Sequence, residues 1–354
     1  MKPVLSSYID LLRPYISEEL VSKPYLDRIH RIADNLPVLS YGSFECWLHD
    51  KEDRVDLNVC INPRLNEHKR MVEHDFSWIN DLKHREKQTG ILRFLESWTK
   101  PNFILQSFLG EFCQIYDIQN SSSLEIPIPW IYISFLRSVI GDDPEVKATI
   151  VQKTLGFIEG NLSEDLLNGL NSLLIKLPES VRFGTLGFHS RGGINTMRLY
   201  IEIKTLKEVL EIMGLIGWSG DLDDFEKQIL PYSDLVTYFG LAMDFDGEIG
   251  IKVGLDCFFE KTNWTAEIET FLERLCDRGI CTNKKKDALK AWNGRNKVTN
   301  EPGFWSWPDE IKDESVKMVE LARMVYYVKL IYEPGKSIIA KAYPMFFRNV
   351  IRKG

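Results

Sequence analysis

Runs of alternating apolar and polar residues, taken two at a time around short turn-forming segments, recur along this chain at intervals of roughly seventy residues. Five such pairs can be read: Ser40 to Asn62 around His49-Asp50-Lys51-Glu52-Asp53, Glu111 to Ser134 around Asn120-Ser121-Ser122-Ser123, Val181 to Lys204 around Ser190-Arg191-Gly192-Gly193, Val236 to Glu260 around Asp246-Gly247, and Tyr326 to Phe347 around Glu333-Pro334-Gly335-Lys336. An Asp-Gly or Pro-Gly step between period-two runs is a strong hairpin signal. Helix-period segments lie between the pairs: Phe76 to Trp98, Pro144 to Phe157, Leu162 to Ile175, Lys204 to Leu215, Asp221 to Ile229, Trp264 to Arg278 and Val316 to Val325. Two amphipathic helices, Tyr8 to Tyr15 and Ser17 to Asn35, precede the first pair and are expected to cap one end of the sheet.

This order predicts an α+β fold of repeated ββα units with an antiparallel sheet and the helices on one face. Ten strands left open would expose one bare face and two free edges, and closure into a barrel removes both. The expectation is a ten-stranded antiparallel β-barrel surrounded by helices, with a lumen too wide for side chains alone to fill. The 354 residues read as a single domain, with 1–38 as capping helices and 39–350 as the five units.

Period-two alternation separates the faces of each strand. Val55, Leu57, Val59 and Ile61 share one side, as do Met197, Leu199, Ile201 and Ile203, and these apolar faces should meet the helices. The opposite face collects Tyr41, Glu45, Trp47, Asp56, Asn58, Gln114, Tyr116, Trp130, Tyr132, Arg198, Tyr200, Lys252, Asp256, Lys341 and Tyr343. Such a face is either the solvent side of an open sheet or the lining of a ligand-bearing lumen. Its large aromatics favour the lumen.

Arg198, Lys252 and Lys341 come from three different pairs, and two of them have a tyrosine two residues on, in Arg198-Leu199-Tyr200 and Lys341-Ala342-Tyr343. A cation beside a phenol can hold a phosphate or diphosphate, the hydroxyl adding a directional hydrogen bond. For any one of these cations a salt bridge to an inward carboxylate is the commoner arrangement. Three together tilt the reading toward an anion.

Net charge is −7 with the signs interspersed, so no footprint for nucleic acid is present. The one basic run, Lys284-Lys285-Lys286, reads as a solvated helix face, with a docking patch as the alternative. Six scattered cysteines without a Cys-x-x-Cys pair are expected to be reduced, and no histidine or cysteine spacing suggests a metal site. No apolar stretch reaches the length of a membrane span, and Met1 to Tyr8 lacks a signal-peptide core, so a cytoplasmic protein is expected. Walker, Gly-x-Gly-x-x-Gly and Gly-x-Ser-x-Gly motifs are absent from the sequence.

The element order, with the Lys/Arg-x-Tyr strand motifs at Lys341-Ala342-Tyr343 and Arg198-Leu199-Tyr200, resembles the ABBA-type prenyltransferases. That resemblance implies transfer of an isoprenoid from its diphosphate to an aromatic or peptide side-chain acceptor. It assigns diphosphate binding to Arg198, Tyr200, Lys252, Lys341 and Tyr343, and prenyl and acceptor contacts to Trp47, Tyr116, Trp130 and Tyr132. Glu45 takes the role of base or orienter toward the acceptor. Two departures stand out: Gly254 follows Lys252 where a tyrosine would help, and the Glu111 to Ser134 pair carries no inward cation. Partners implied are an isoprenoid diphosphate and a small aromatic or peptide acceptor; no cofactor is called for, with Mg2+ on the diphosphate left open. Ile216-Gly217-Trp218-Ser219-Gly220 and Asp287 to Trp292 are also similar to bacterial proteins found beside ribosomal-peptide modification genes, which would favour a peptide acceptor. The alternative reading is a non-catalytic peptide- or lipid-binding or maturation protein that uses the same concave face.

Overall fold

The computed structural model describes residues 4–49, 53–62, 67–74, 82–100, 103, 105–123, 125–136, 144–159, 163–178, 181–188, 196–259, 264–297 and 316–352. Its strands are β1 (Tyr41–Trp47), β2 (Val55–Ile61), β3 (Leu109–Tyr116), β4 (Trp130–Phe135), β5 (Arg182–Phe188), β6 (Met197–Ile203), β7 (Tyr238–Phe245), β8 (Ile249–Phe258), β9 (Gly294–Lys297), β10 (Val316–Tyr332) and β11 (Ile339–Arg352). Each strand from β1 to β7 pairs antiparallel with the next, β8 pairs with β10, β10 with β11, and β11 returns to β1 with Tyr41 opposite Phe347. The result is a closed ten-stranded antiparallel barrel. The short β9 adds to the part of β10 that runs beyond the barrel.

Among the described residues, ten α-helices surround it: α1 (Ser6–Leu12), α2 (Lys23–Ala33), α3 (Glu67–Glu73), α4 (Leu82–Trp98), α5 (Pro144–Glu159), α6 (Glu164–Lys176), α7 (Leu206–Ile216), α8 (Leu222–Ser233), α9 (Ala266–Asp277) and α10 (Asn283–Trp292). Local sequence sets their ends. Thr205 and Glu208 form a capping box at the start of α7, and Gly217 ends it at φ 79°, where a side chain would strain the backbone. Asp221, Thr265 and Thr282 each accept a backbone N–H at the starts of α8, α9 and α10. The Asp246-Gly247 turn places Gly247 at φ 115° between β7 and β8.

The main core lies between the outer barrel face and the helices. Met197, Leu199 and Ile201 of β6 and Leu57, Val59 and Ile61 of β2 are fully buried there, on the faces that alternation selects. Helices α1 and α2 pack on the outside of the barrel. Tyr8 meets Phe346 of β11 edge-on at 5.4 Å, while Arg31 reaches the Ser121 carbonyl in the β3–β4 connection.

Val316 to Val325 is strand, not helix. Its apolar residues suit either period, and β11, continuing to Arg352, supplies the ladder that decides between them. A register shift between Val325 and Val328 then turns both Tyr326 and Tyr327 toward the lumen cavity. Pro127 and Pro129 precede β4 and so cost its ladder nothing. The turn read at 190–193, and 50–52 of the first turn, lie outside the described residues.

Candidate functional site

The barrel has a hairpin end, where paired strands are joined by turns, and a connection end, where strands lead into helices. A cavity of about 1190 Å³ occupies the lumen toward the connection end, somewhat above the roughly 300–1,000 Å³ typical of ligand sites. Tyr41, Tyr132, Tyr200, Tyr238, Tyr326 and Tyr327 line it, together with the carboxylates Glu111, Glu202 and Asp256. Burial is the main cause that raises the hydroxyl pKa of Tyr41, Tyr132, Tyr200 and Tyr327, so these phenols stay protonated and can donate.

Between the cavity and the hairpin end lies a layer of ion pairs and rings. Lys329 Nζ is 3.1 Å from Asp256 Oδ1 and donates to the Tyr200 hydroxyl at 3.1 Å. Lys341 pairs with Glu45 and sits 4.3 Å from the Trp47 ring centre. Arg198 donates to both oxygens of Asp244, at 2.6 and 3.0 Å, and lies 5.1 Å from the centre of the Trp130 ring. Tyr343 stacks on Tyr327 at 4.1 Å.

Burial would raise the Glu45 pKa, but the Lys341 and Lys329 charges and hydrogen bonds from Lys341 and Tyr343 outweigh it and hold the carboxyl at about 2. Asp56, opposite Glu45 in the β1–β2 ladder, is pushed up to about 7 by burial and by the Glu45 charge, against Arg54 and Lys341. Burial lifts Asp256 to about 6 despite Lys329.

The structure therefore brings Glu45, Trp47, Trp130, Tyr132, Arg198, Tyr200, Lys341 and Tyr343 to the lumen, and leaves two expected site residues elsewhere. Tyr116 faces the helix layer, part of the main core, with its hydroxyl donating to Gln114 Oε1 at 3.2 Å. The reason is register: Tyr116 stands opposite Leu57 and Gln114 opposite Val59, so both share the outer face of β2, and Cys113 and Ile115 point inward instead. Lys252 is exposed near the hairpin end of β8, where its charge acts on Glu333 in the β10–β11 turn.

Two of the expected reduced cysteines are not reduced. Cys60 and Cys113 stand opposite one another on β2 and β3 and form a disulfide in the cavity wall; Cys46, Cys257, Cys276 and Cys281 are free. The basic run is also only partly solvated. Lys285 is buried and donates to the carbonyls of Trp47 and His49 at 2.7 and 2.8 Å, tying α10 to the end of β1.

Solved structures of several prenyltransferases match nearly the whole chain. The complex of the prenyltransferase PriB with L-tryptophan and dimethylallyl thiolodiphosphate aligns over 97% of this chain and 94% of its own, with TM-score 0.51 and 12% identity. The 6-dimethylallyltryptophan synthase of Micromonospora olivasterospora aligns over 96% and 95%, with TM-score 0.51 and 10% identity. A further 6-dimethylallyl tryptophan synthase gives TM-score 0.52 at 9% identity over 97% and 95%. The fold is the ABBA prenyltransferase barrel. No protein-family model matches the chain, and no curated protein matches it in sequence.

In this ABBA barrel, the feature that sequence reasoning overlooked is Lys329. Val328-Lys329-Leu330 carries the same apolar-cation-apolar alternation as Met197-Arg198-Leu199 and Ala340-Lys341-Ala342, and Lys329 is the register partner of Lys341. Tyr326 and Tyr327 were hidden by the bulge, since strict alternation puts only one of two adjacent residues inside. Among the described residues, no group of three or more His, Cys, Asp or Glu side chains is placed to hold a metal ion, and no helix is long and apolar enough to cross a membrane.

Proposed function

We propose that the lumen binds an isoprenoid diphosphate and transfers its prenyl group to an aromatic or peptide side-chain acceptor. The observation that carries this reading is the pairing of an unfilled, tyrosine-lined cavity with cations from β6, β10 and β11 at its base, in a barrel shared with PriB, whose complex holds L-tryptophan and a dimethylallyl diphosphate analogue. In the reaction the bond between the allylic carbon and the diphosphate oxygen breaks, the acceptor supplies the electrons of the new bond, and the proton it sheds passes to a base. Lys329, Lys341 and Arg198 would stabilise the charge growing on the leaving group, with Tyr200 and Tyr343 donating to it. The surrounding rings would shield the allylic cation from water. Glu45 lies beyond the tyrosine layer and paired with Lys341, so Glu111, Glu202 and Asp256 stand nearer to an acceptor in the cavity.

One observation favours the alternative, a non-catalytic peptide- or lipid-binding protein: Lys341, Lys329 and Arg198 are each already paired with a carboxylate. Thermal unfolding with dimethylallyl, geranyl and inorganic diphosphates, each with and without magnesium, separates the two. A saturable rise in Tm, larger for one isoprenoid than for inorganic diphosphate and lost in Lys341→Ala, supports prenyl transfer. Turnover in Lys341→Ala should then fall by about a hundredfold. No shift with any diphosphate moves the reading to a peptide or apolar ligand, whose binding should respond to Trp130→Ala instead.

A further inference from the structure

We propose that the Cys60–Cys113 disulfide is a thiol–disulfide exchange site in the cavity wall, opened and closed by a low-molecular-weight thiol that enters through the cavity. The inference does not depend on prenyl transfer.

Position is the first argument. Both cysteines point into the lumen, where with Tyr132 they form a small cluster separate from the main core, packed by Tyr41, Ile115, Trp130 and Tyr200. Both line the cavity, so the route to them is through it. Cys46 and Cys257, by contrast, are fully buried in the main core. A thiol-sized molecule that the cavity admits thus meets one pair of sulfurs in particular.

The second argument is that this bond is not what joins the two strands. Cys60 and Cys113 are register partners inside a continuous β2–β3 ladder that runs from Leu57 opposite Tyr116 to Ile61 opposite Phe112. Breaking the bond leaves those pairings in place. The reduced form is also accommodated, because Asn58 Oδ1 lies 3.7 Å from Cys60 Sγ, in reach of a thiol hydrogen.

The exchange balances as follows. A thiolate attacks Sγ of Cys113, the more exposed of the two at 8% against 4%, and the sulfur–sulfur bond breaks with Cys60 leaving as thiolate. A second thiol attacks the mixed disulfide and expels Cys113. Two electrons pass to the protein, the entering thiols end as their disulfide, and the two protons they release are taken up by the cysteines.

Opening the pair reshapes the base of the cavity. Two unbonded sulfurs need van der Waals separation, and Tyr132 packs against them. That ring lies directly over Gly187, so close that a Cβ there would fall 2.2 Å from it, and it has no room to retreat on that side. Its other ring neighbours are Trp130, stacked at 6.3 Å, and Tyr200, 5.7 Å away and hydrogen-bonded to Lys329. Oxidised and reduced forms should therefore present different walls next to the ion-pair layer.

The test uses the full chain equilibrated with oxidised glutathione, then treated with reduced glutathione or with a polyethylene-glycol thiol too bulky for the cavity. Alkylation of the folded protein is followed by peptide mapping, with near-UV circular dichroism as the control for native packing. Expected are a Cys60–Cys113 cross-linked peptide before reduction, two alkylated sites at Cys60 and Cys113 after glutathione with the spectrum retained, and a rate about tenfold lower or less with the bulky thiol. In Cys60→Ser, the remaining Cys113 should capture glutathione as a mixed disulfide. The proposal is overturned if no cross-linked peptide forms, or if both thiols reduce the pair at one common rate equal to that of global unfolding.

Discussion

Glu45 and Asp56 face one another across the β1–β2 ladder, yet folding moves their carboxyl pKa values in opposite directions, to about 2 and about 7. The difference lies in their partners. Lys341 and Tyr343 serve Glu45, while Asp56 is buried beside the charge that Glu45 keeps.

A pH dependence of stability follows. A carboxyl whose pKa rises on folding contributes stability that is complete below its unfolded pKa and is lost as pH rises through its folded pKa. For Asp256 the window runs from 3.8 to about 6, and for Asp56 from 3.8 to about 7. Glu45 acts oppositely, contributing above 4.5 and losing that as pH falls toward about 2. Urea midpoints should therefore decline between pH 5 and 7, with each carboxyl contributing up to about 1.4 kcal/mol per pH unit. Asp256→Asn should flatten the decline below about pH 6 and leave the Asp56 part above it; an unchanged profile would remove Asp256 from this account.

Lys329→Met should destabilise the protein by about 3–5 kcal/mol where Asp256 is ionised, because a buried carboxylate is left without its ammonium partner. At pH 5, where Asp256 can hold its proton, the loss should shrink. Adding Asp256→Leu should recover most of the stability at both values, measured by denaturant unfolding.

Gly187→Ala should cost about 1–3 kcal/mol through overpacking, since its Cβ would strike the Tyr132 ring. It should also weaken whatever ligand the cavity binds, by driving Tyr132 inward. Tyr116→Phe is the contrast. It removes one hydrogen bond to Gln114, about 0.5–1.5 kcal/mol, and should leave ligand affinity unchanged, because Tyr116 lies outside the barrel wall.

Lys285→Ala should lower stability by about 1.5–3 kcal/mol, having lost charge-assisted bonds to the Trp47 and His49 carbonyls. Lys284→Ala, whose side chain is 77% exposed, should lie within about 0.5 kcal/mol of the parent chain. Equal effects would show that the two lysines share a surface role.

The barrel was legible because alternation and turn chemistry are local. Val55 to Ile61 and Met197 to Ile203 sort their own faces without reference to a partner. What escaped depends on a partner: Tyr116 lies outward because of its register against Leu57, Val316 to Val325 is strand because β11 is long enough to pair with it, and Tyr326 and Tyr327 both turn inward at a bulge. The cations followed the same rule. Alternation placed Arg198 and Lys341 inward, but their neutralisation by Asp244 and Glu45 is a meeting of strands distant in sequence.

The β1–β11 ladder, with Tyr41 opposite Phe347, spans almost the whole chain, whereas β1 through β7 each pair with the strand that follows. As the chain emerges in order, eight strands can zip together while β1 still waits for its second neighbour. During that interval β1 and β8 are open edges of a curved sheet, and the loop that must close to join β1 to β11 is the longest in the molecule. The species most exposed to misassembly is thus an eight-stranded trough, and the β10–β11 hairpin is the piece that seals it.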